Sequence, residues 1–311
     1  MGHLRQGEWH NDEVATNDDK GQFKREESTF REIISEEHTE FKPEKDRYHL
    51  YVSYACPWAH RTLIARQLKN LEDHISVSVV HPEMLEESWT FRTDFEGTTG
   101  DQVLKKDKLY EVYLHHNPEI TTKVTVPILF DKKTQKIVNN ESSEILRIFN
   151  SSFEKISSSD INLYPKEYQS SIDEFNEMIY EPVNNGVYKV GFATTQEAYE
   201  KAFHSLFNTL DKLDDHLKET NFLVSDSLTE ADIRLLTTLL RFDAVYYTHF
   251  KCNKKKISEY KNLFRYLKFH YQRKEISSTT NLEHIKRHYF YSHDFINPNR
   301  IVPLGPMNPF I

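Results

Sequence analysis

The sequence predicts a mixed α/β domain followed by an all-helical one, on three observations. An alternating apolar run at residues 48–54 leads into Cys56-Pro57, and Ala59, Leu63, Ile64 and Leu68 then recur at helical spacing. A β-branched run at residues 75–80 comes next and completes a β-α-β unit, whose strands should be parallel neighbours. Beyond about residue 165 the apolar pattern turns helical throughout.

Pro57 suits the first position of a helix, where its missing N–H costs nothing. Cys56 should therefore stand where a strand ends and a helix begins. Unpaired N–H groups and the positive end of a helix dipole favour a thiolate there, and the thiolate is the nucleophile. The alternative is a small buried apolar residue; strand, Cys-Pro and helix arriving together favour the nucleophile. The motif is CxxA. Ala59 stands where a dithiol motif places its second cysteine, so an external thiol must resolve any disulfide formed at Cys56. Cys252, beside the basic Lys254, Lys255 and Lys256, reads as structural or surface.

A length of 311 residues allows two domains, and 13% aromatic content supports an aromatic-rich core. No apolar run reaches membrane-spanning length. A net charge of −8 argues weakly against nucleic acid as the main partner. The N-terminus is charged from Glu8 and lacks an apolar signal core, and Gln6 replaces the Ser or Thr that myristoylation prefers. Two distant cysteines give no disulfide framework, so a reducing cytoplasm is the expected location. A metal is not expected: His115, His116, His284, His288 and His293 lack acid or cysteine ligands at useful intervals, and the 284/288 pair reads as a solvated helix face. No Gly-rich phosphate loop is present.

In chain order, residues 1–45 read as an extended polar arm pinned by Trp9, Phe23, Phe30 and Phe41. Residues 46–150 form the α/β domain. Within it, residues 103–116 could form a helix, and Trp89 is either a core plug or the wall of a pocket. Residues 124–131 and 135–139 predict a β-hairpin. Pro127 inside the first strand marks an edge or follows a cis bond. Asn139 to Ser143 then opens a helix carrying Ile145, Leu146 and Phe149. Its N–H groups and the Ser142 hydroxyl could hold a carboxylate or simply cap the helix, and the local pattern favours the cap. Residues 151–165 form a linker and residues 166–311 a helical domain ending in an irregular arm. Its expected helices cover 168–180, 194–220, a run opening at Thr229 and reaching Val245, 258–274 and 281–290. Residues 182–193 break the first of them. Thr229 and Asp232 form a capping-box pattern.

The order β-α-β, long loop, β-β-α, with cysteine at the first helix and proline before the third strand, resembles the thioredoxin-like fold. Such a domain followed by an all-helical one is similar to the glutathione transferases. YACPWAHR (54–61), Val126-Pro127, Glu141-Ser142, VNNGVYKVGFA (183–193), RFDAVYYTHFKCN (241–253) and IKRHYFYSH (285–293) together resemble the glutathionyl-hydroquinone reductases, or xi-class glutathione transferases, from about residue 40 to the end.

That resemblance implies glutathione-dependent reduction of S-glutathionyl-hydroquinones. The Cys56 thiolate attacks the glutathionyl sulfur, and a second glutathione then regenerates it. Tyr188 would protonate the leaving carbon, while Tyr246 and Tyr289 would donate hydrogen bonds to the sulfur. Trp89 would line the glutathione site. Lys123, better placed than Lys106, would meet the glycyl carboxylate, Val126 before Pro127 the cysteinyl backbone, Glu141 the ammonium and Ser142 the α-carboxylate. His60 and Arg61 read as helix-face residues, and Tyr247 and Tyr291 are near misses. The resemblance also implies a homodimer through the helical domain. Two alternatives stay open: an omega-like thiol transferase or dehydroascorbate reductase, and a non-catalytic glutathione-binding scaffold.

Overall fold

The computed structural model describes residues 2–12, 17–307 and 310. Two compact units are present. One is built from Met1–Val14 and Glu27–Ile161, the other from Ala15–Glu26 and Asn162–Ile311. In the C-terminal tail, Asn308, Pro309 and Ile311 lie outside the described residues.

The first unit opens with a hairpin, β1 (His3–Arg5) and β2 (Glu8–His10), turning at Gly7 with φ +81°. It continues with β3 (Tyr48–Val52), α1 (Pro57–Leu68), β4 (Ile75–Val79), α2 (Leu109–His116), β5 (Thr122–Lys123), β6 (Ile128–Asp131), β7 (Lys136–Asn139) and α3 (Ser142–Ser151). The main sheet has the order β4-β3-β6-β7. β3 runs parallel to β4, as the β-α-β pattern predicts, and antiparallel to β6. All five β3 residues are buried, the state of an inner strand covered on both faces. His49 fits there because Ser76 and Ser78 meet its two ring nitrogens at 2.7 and 2.8 Å. Burial pushes its pKa down to about 3.

Three local expectations change. The N-terminal stretch is not merely extended: β1 pairs with β5 to give a second sheet, β2-β1-β5. Trp9 stacks on Tyr110 at 4.8 Å and its indole N–H donates to the Glu86 carbonyl. The helix expected over 103–116 starts only at Leu109. The Asp101 carboxylate accepts the N–H groups of Val103, Leu104 and Lys106, which folds that stretch into a turn instead. The strand expected over 124–131 is interrupted: β5 ends at Lys123, the Val126–Pro127 bond is cis, and β6 begins at Ile128.

The second unit contains α4 (Gln169–Ile179), α5 (Gly186–Gly191), α6 (Gln196–His216), α7 (Glu230–Arg241), α8 (Tyr247–His249), α9 (Lys261–Tyr271), α10 (Lys274–Ser277) and α11 (Leu282–Ser292). Within residues 182–193 the helical path continues as far as Gly191, and the break falls only at 192–195. A π turn, Tyr180–Asn184, absorbs Pro182, and the Asn185 N–H reaches five residues back to the Tyr180 carbonyl. The Asn184 side chain fastens this turn to α7 through the Arg234 carbonyl and the Thr238 hydroxyl. Gly191 closes α5 where any side chain would strike the Phe250 ring. A second π turn, Phe242–Tyr246, follows α7. His284 and His288 are buried, so the solvated-face expectation fails; α11 turns both inward.

α7 is buried almost all round, the mark of a central helix. The capping box is present: Asp232 Oδ2 accepts the Thr229 N–H at 2.9 Å, and Oδ1 accepts the Leu223 N–H and the Tyr266 hydroxyl. Asp232→Ala would leave these buried donors unmet. We expect a loss on the order of 3 kcal/mol, read as the urea midpoint of the helical signal. A loss below about 1 kcal/mol would reduce the network to an ordinary surface cap.

Candidate active site

Cys56 is the N-cap of α1, with extended backbone (φ −76°, ψ 120°), and Pro57 follows at the first helical position. Its carbonyl accepts the His60 N–H at 3.0 Å, so the helix is formed up to the cysteine. The residue is half-buried, and its Sγ lies 3.6 Å from the Val126 carbonyl oxygen. Strand end, helix start and cis-proline junction thus meet at one sulfur. Neither cysteine is in a disulfide. Cys252 is fully buried, and burial pushes its thiol well above the usual range. It is structural, and the surface alternative is removed. His60 and Arg61 are buried rather than on an open helix face, and the Arg61 guanidinium lies 4.4 Å above the Trp58 ring.

Glu141 is the N-cap of α3, the second loop-to-helix junction. Its Oε1 accepts the Ser143 N–H and hydroxyl, and its Oε2 accepts the Ser28 hydroxyl at 2.9 Å. Burial pushes its carboxyl up, but the Ser143 and Ser28 donors and the Arg61 charge outweigh this and hold it below the ordinary glutamate range. Ser142 is the first residue of α3 and is buried. Lys123 lies on β5 opposite His3. Trp89 is 5% exposed, and its carbonyl accepts the Leu109 N–H.

In the second unit, three tyrosines distant in sequence share one hydrogen-bonded chain. The Tyr188 and Tyr289 hydroxyls are 2.6 Å apart, and those of Tyr246 and Tyr289 3.1 Å apart. Tyr188 is 9% exposed, Tyr289 2% and Tyr246 fully buried. Burial pushes Tyr246 and Tyr289 well above the ordinary tyrosine value, with Tyr188 adding to the shift and the Arg241 charge opposing it. Burial therefore holds Tyr246 and Tyr289 as neutral phenols, hydrogen-bonded in a chain that ends at Tyr188, its most exposed member. Tyr247 and Tyr291 stand apart: Lys256 lies over the first ring, Arg287 and Arg300 over the second.

Two neighbours were not legible from local sequence. Arg25 lies 5.0 Å over the Tyr188 ring and donates to the Asn185 side chain at 2.7 Å. Ser28 supports Glu141 from 113 positions away. No motif marks either; the arm's place against each unit is a tertiary fact. Among the described residues, no helix is long and apolar enough to cross a membrane, and no group of three or more potential ligands could hold a metal ion.

Buried Tyr246 and Tyr289 ionise in the unfolded chain near pH 10 but only above that in the folded one. Their contribution to stability is complete below pH 10 and declines as pH rises. Between pH 9 and about 11, wild type should lose more stability to urea than Tyr246→Phe does. Parallel losses would contradict the raised pKa of the buried tyrosines.

Two family models match: "Glutathione S-transferase, N-terminal domain" over residues 55–152 and "Glutathione S-transferase, C-terminal domain" over residues 196–269. Glutathionyl-hydroquinone reductase YqjG of Escherichia coli (strain K12) is 50% identical over 313 residues, covering 98% of this chain and 95% of its own. The glutathione-bound structure of YqjG aligns with TM-score 0.90 at 48% identity, over 99% of this chain and 97% of that one. Glutathione-S-transferase Xi from Phanerochaete chrysosporium aligns with TM-score 0.92 at 49% identity, over 95% and 96%. The match runs through both units and includes the Cys56 helix, so the chain belongs to the glutathionyl-hydroquinone reductases, the xi-class branch of the glutathione transferases.

Proposed function

We propose that this enzyme reduces S-glutathionyl-hydroquinones to hydroquinones by a one-cysteine cycle. The Cys56 thiolate attacks the glutathionyl sulfur. The S–S bond forms, the sulfur–aryl bond breaks, and the electron pair of the broken bond goes to the aryl carbon, which takes a proton. The hydroquinone leaves, and Cys56 remains as a mixed disulfide with glutathione. A second glutathione thiolate attacks the glutathionyl sulfur, releasing oxidised glutathione and restoring the Cys56 thiolate. The proton of that second thiol balances the one placed on carbon.

The observation that carries this reading is the setting of Cys56. It is a half-buried thiol at a helix start beside the Val126 carbonyl, with Ala59 where a resolving cysteine would stand. In the free thiol, S–H donates to the Val126 carbonyl, an acceptor that favours the protonated state. The cysteinyl N–H of bound glutathione would occupy that carbonyl, as a neighbouring strand does, and leave the sulfur to the N–H groups of α1. Bound glutathione thus removes the contact that holds the proton.

Glu141 would accept the γ-glutamyl ammonium and the start of α3, with Ser142, the α-carboxylate. Lys123 would meet the glycyl carboxylate. Trp89, being buried, would serve as a wall beneath the ligand. Tyr188 would donate the proton to carbon, with Tyr289 and Tyr246 stabilising it and, with it, the Cys56 sulfur. The cycle needs a reducing, glutathione-rich compartment such as the cytoplasm. A homodimer through the helical unit is what the xi-class resemblance implies; light scattering on the purified chain tests it.

Cys56→Ala should abolish turnover of a glutathionyl-hydroquinone, and wild type mixed with oxidised glutathione should gain one glutathione at Cys56 by mass spectrometry. Dehydroascorbate turnover in place of hydroquinone turnover would move the enzyme to an omega-like reductase. No adduct would make it a scaffold.

Tyr188→Phe should slow hydroquinone release by on the order of 100-fold and disulfide resolution far less, since only the first half-reaction protonates carbon. Equal slowing of both halves in stopped flow would remove Tyr188 as the donor.

A further inference from the structure

The N-terminal segment grips the first unit at two places that the proposed function gives to opposite ends of glutathione. At one, the Ser28 hydroxyl donates to Glu141 Oε2 at 2.9 Å. Phe30 and Asn140 exchange two hydrogen bonds, from the Phe30 N–H to Asn140 Oδ1 and from the Asn140 N–H to the Phe30 carbonyl. Arg31 makes a two-pronged ion pair with Glu144, at 2.8 and 2.5 Å. These contacts hold the turn before α3 and its first residues.

At the other place, β1 pairs with β5, setting His3 opposite Lys123 and Leu4 opposite Thr122. The Gln6 N–H donates to the Thr121 hydroxyl, and the Gly7 N–H to the Ile120 carbonyl. The Thr29 and Thr122 hydroxyls, 2.8 Å apart, tie the two places together. A two-residue strand such as β5 cannot hold its own position; here the arm supplies the pairing.

We propose that this segment is a working part of the glutathione site, with Ser28 as a positioning residue that aims the second oxygen of Glu141 at the γ-glutamyl ammonium. The inference rests on the reading of Glu141 as the ammonium partner. Oε1 already accepts from Ser143, so Oε2 is the oxygen left to face the ammonium, and the Ser28 hydroxyl completes the set of donors that holds the carboxylate plane aiming it. The same hydroxyl stabilises the ionised carboxylate, the only form that attracts an ammonium. Losing the hydroxyl therefore weakens binding twice over: the carboxylate plane keeps only the Ser143 donors to orient it, and the carboxylate takes up its proton at a higher pH.

The test is calorimetric titration of the full chain with S-methylglutathione, a probe that cannot enter the disulfide cycle. Ser28→Ala should weaken binding by roughly five- to tenfold, and Ser28→Thr, which keeps the hydroxyl, should restore it to within about twofold. The affinity of Ser28→Ala should also fall away at higher pH on the acid side than that of wild type, because the Glu141 carboxyl moves back up toward its ordinary range. A merely structural role for Ser28 would move neither the acid limb nor the rescue. Unchanged affinity and acid limb in Ser28→Ala, or a threonine variant as weak as alanine, overturns the inference, as does failure of wild type to bind the probe. Ser28-dependent binding without turnover of a glutathionyl-hydroquinone would overturn the proposed reaction and leave this inference standing.

Discussion

The sulfur of Cys56 is subject to two opposed influences. The Val126 carbonyl, 3.6 Å away, is an acceptor and favours the thiol. The first turn of α1 presents N–H groups and the positive end of a dipole, and these favour the thiolate. Neither influence comes from a titrating side chain. Both are backbone, fixed by where β3 stops, where Pro57 lets α1 begin and where the chain bends at Pro127. The fold fixes the geometry of both, and whatever else pairs with the Val126 carbonyl shifts the balance between them. In the proposed cycle, glutathione lying along that edge would be such a partner.

The second unit solves a different problem, keeping hydroxyls neutral yet connected. Tyr188, Tyr246 and Tyr289 belong to three separate elements, and two of those follow or end a π turn. A widened turn shifts the helical register by one residue and re-aims every side chain beyond it. A regular helix through residues 179–191 or 241–249 would point Tyr188 and Tyr246 elsewhere. Burial then raises the cost of ionising Tyr246 and Tyr289, and the Arg241 charge partly offsets it. The result is a weakly acidic chain with one end near the surface, suited to lending a proton and recovering it.

How much of this was legible in the sequence follows from the range of each interaction. Cys56-Pro57, the α1 spacing and the Thr229–Asp232 capping box are local, decided within about a turn, and each appears where the pattern placed it. The start of α2 was missed because one carboxylate, Asp101, outcompetes helix propensity by taking three N–H groups. Pro182 and the glycines near it read as breakers because a π turn has no composition signal. His284 and His288 at i, i+4 looked amphipathic and solvated, yet α11 buries that face. The N-terminal arm shows no periodicity because its order comes from partners about a hundred positions away, such as Thr122, Asn140 and Glu141. The tyrosine chain could be named only through resemblance; with 17 tyrosines in the chain, spacing alone selects none.

Displacement at sulfur is in-line, and this constrains the proposed cycle further. In the first step Cys56 attacks the glutathionyl sulfur opposite the aryl carbon. In the second, the resolving thiolate attacks the same sulfur opposite Cys56. The incoming sulfur must therefore arrive where the aryl carbon stood, and it cannot do so until the hydroquinone has gone. In the proposed cycle the glutathionyl group would stay at Glu141 and Val126 throughout, so the resolving glutathione could not use those residues. One tripeptide site would thus be occupied across both half-reactions, and the second glutathione would enter through the space the aromatic ring had left. Such an order requires ping-pong kinetics. It also explains why a chain with this site has no use for a second reactive cysteine: at position 59 a thiol would attack the Cys56 side of the disulfide and expel glutathione from the site that the cycle keeps filled.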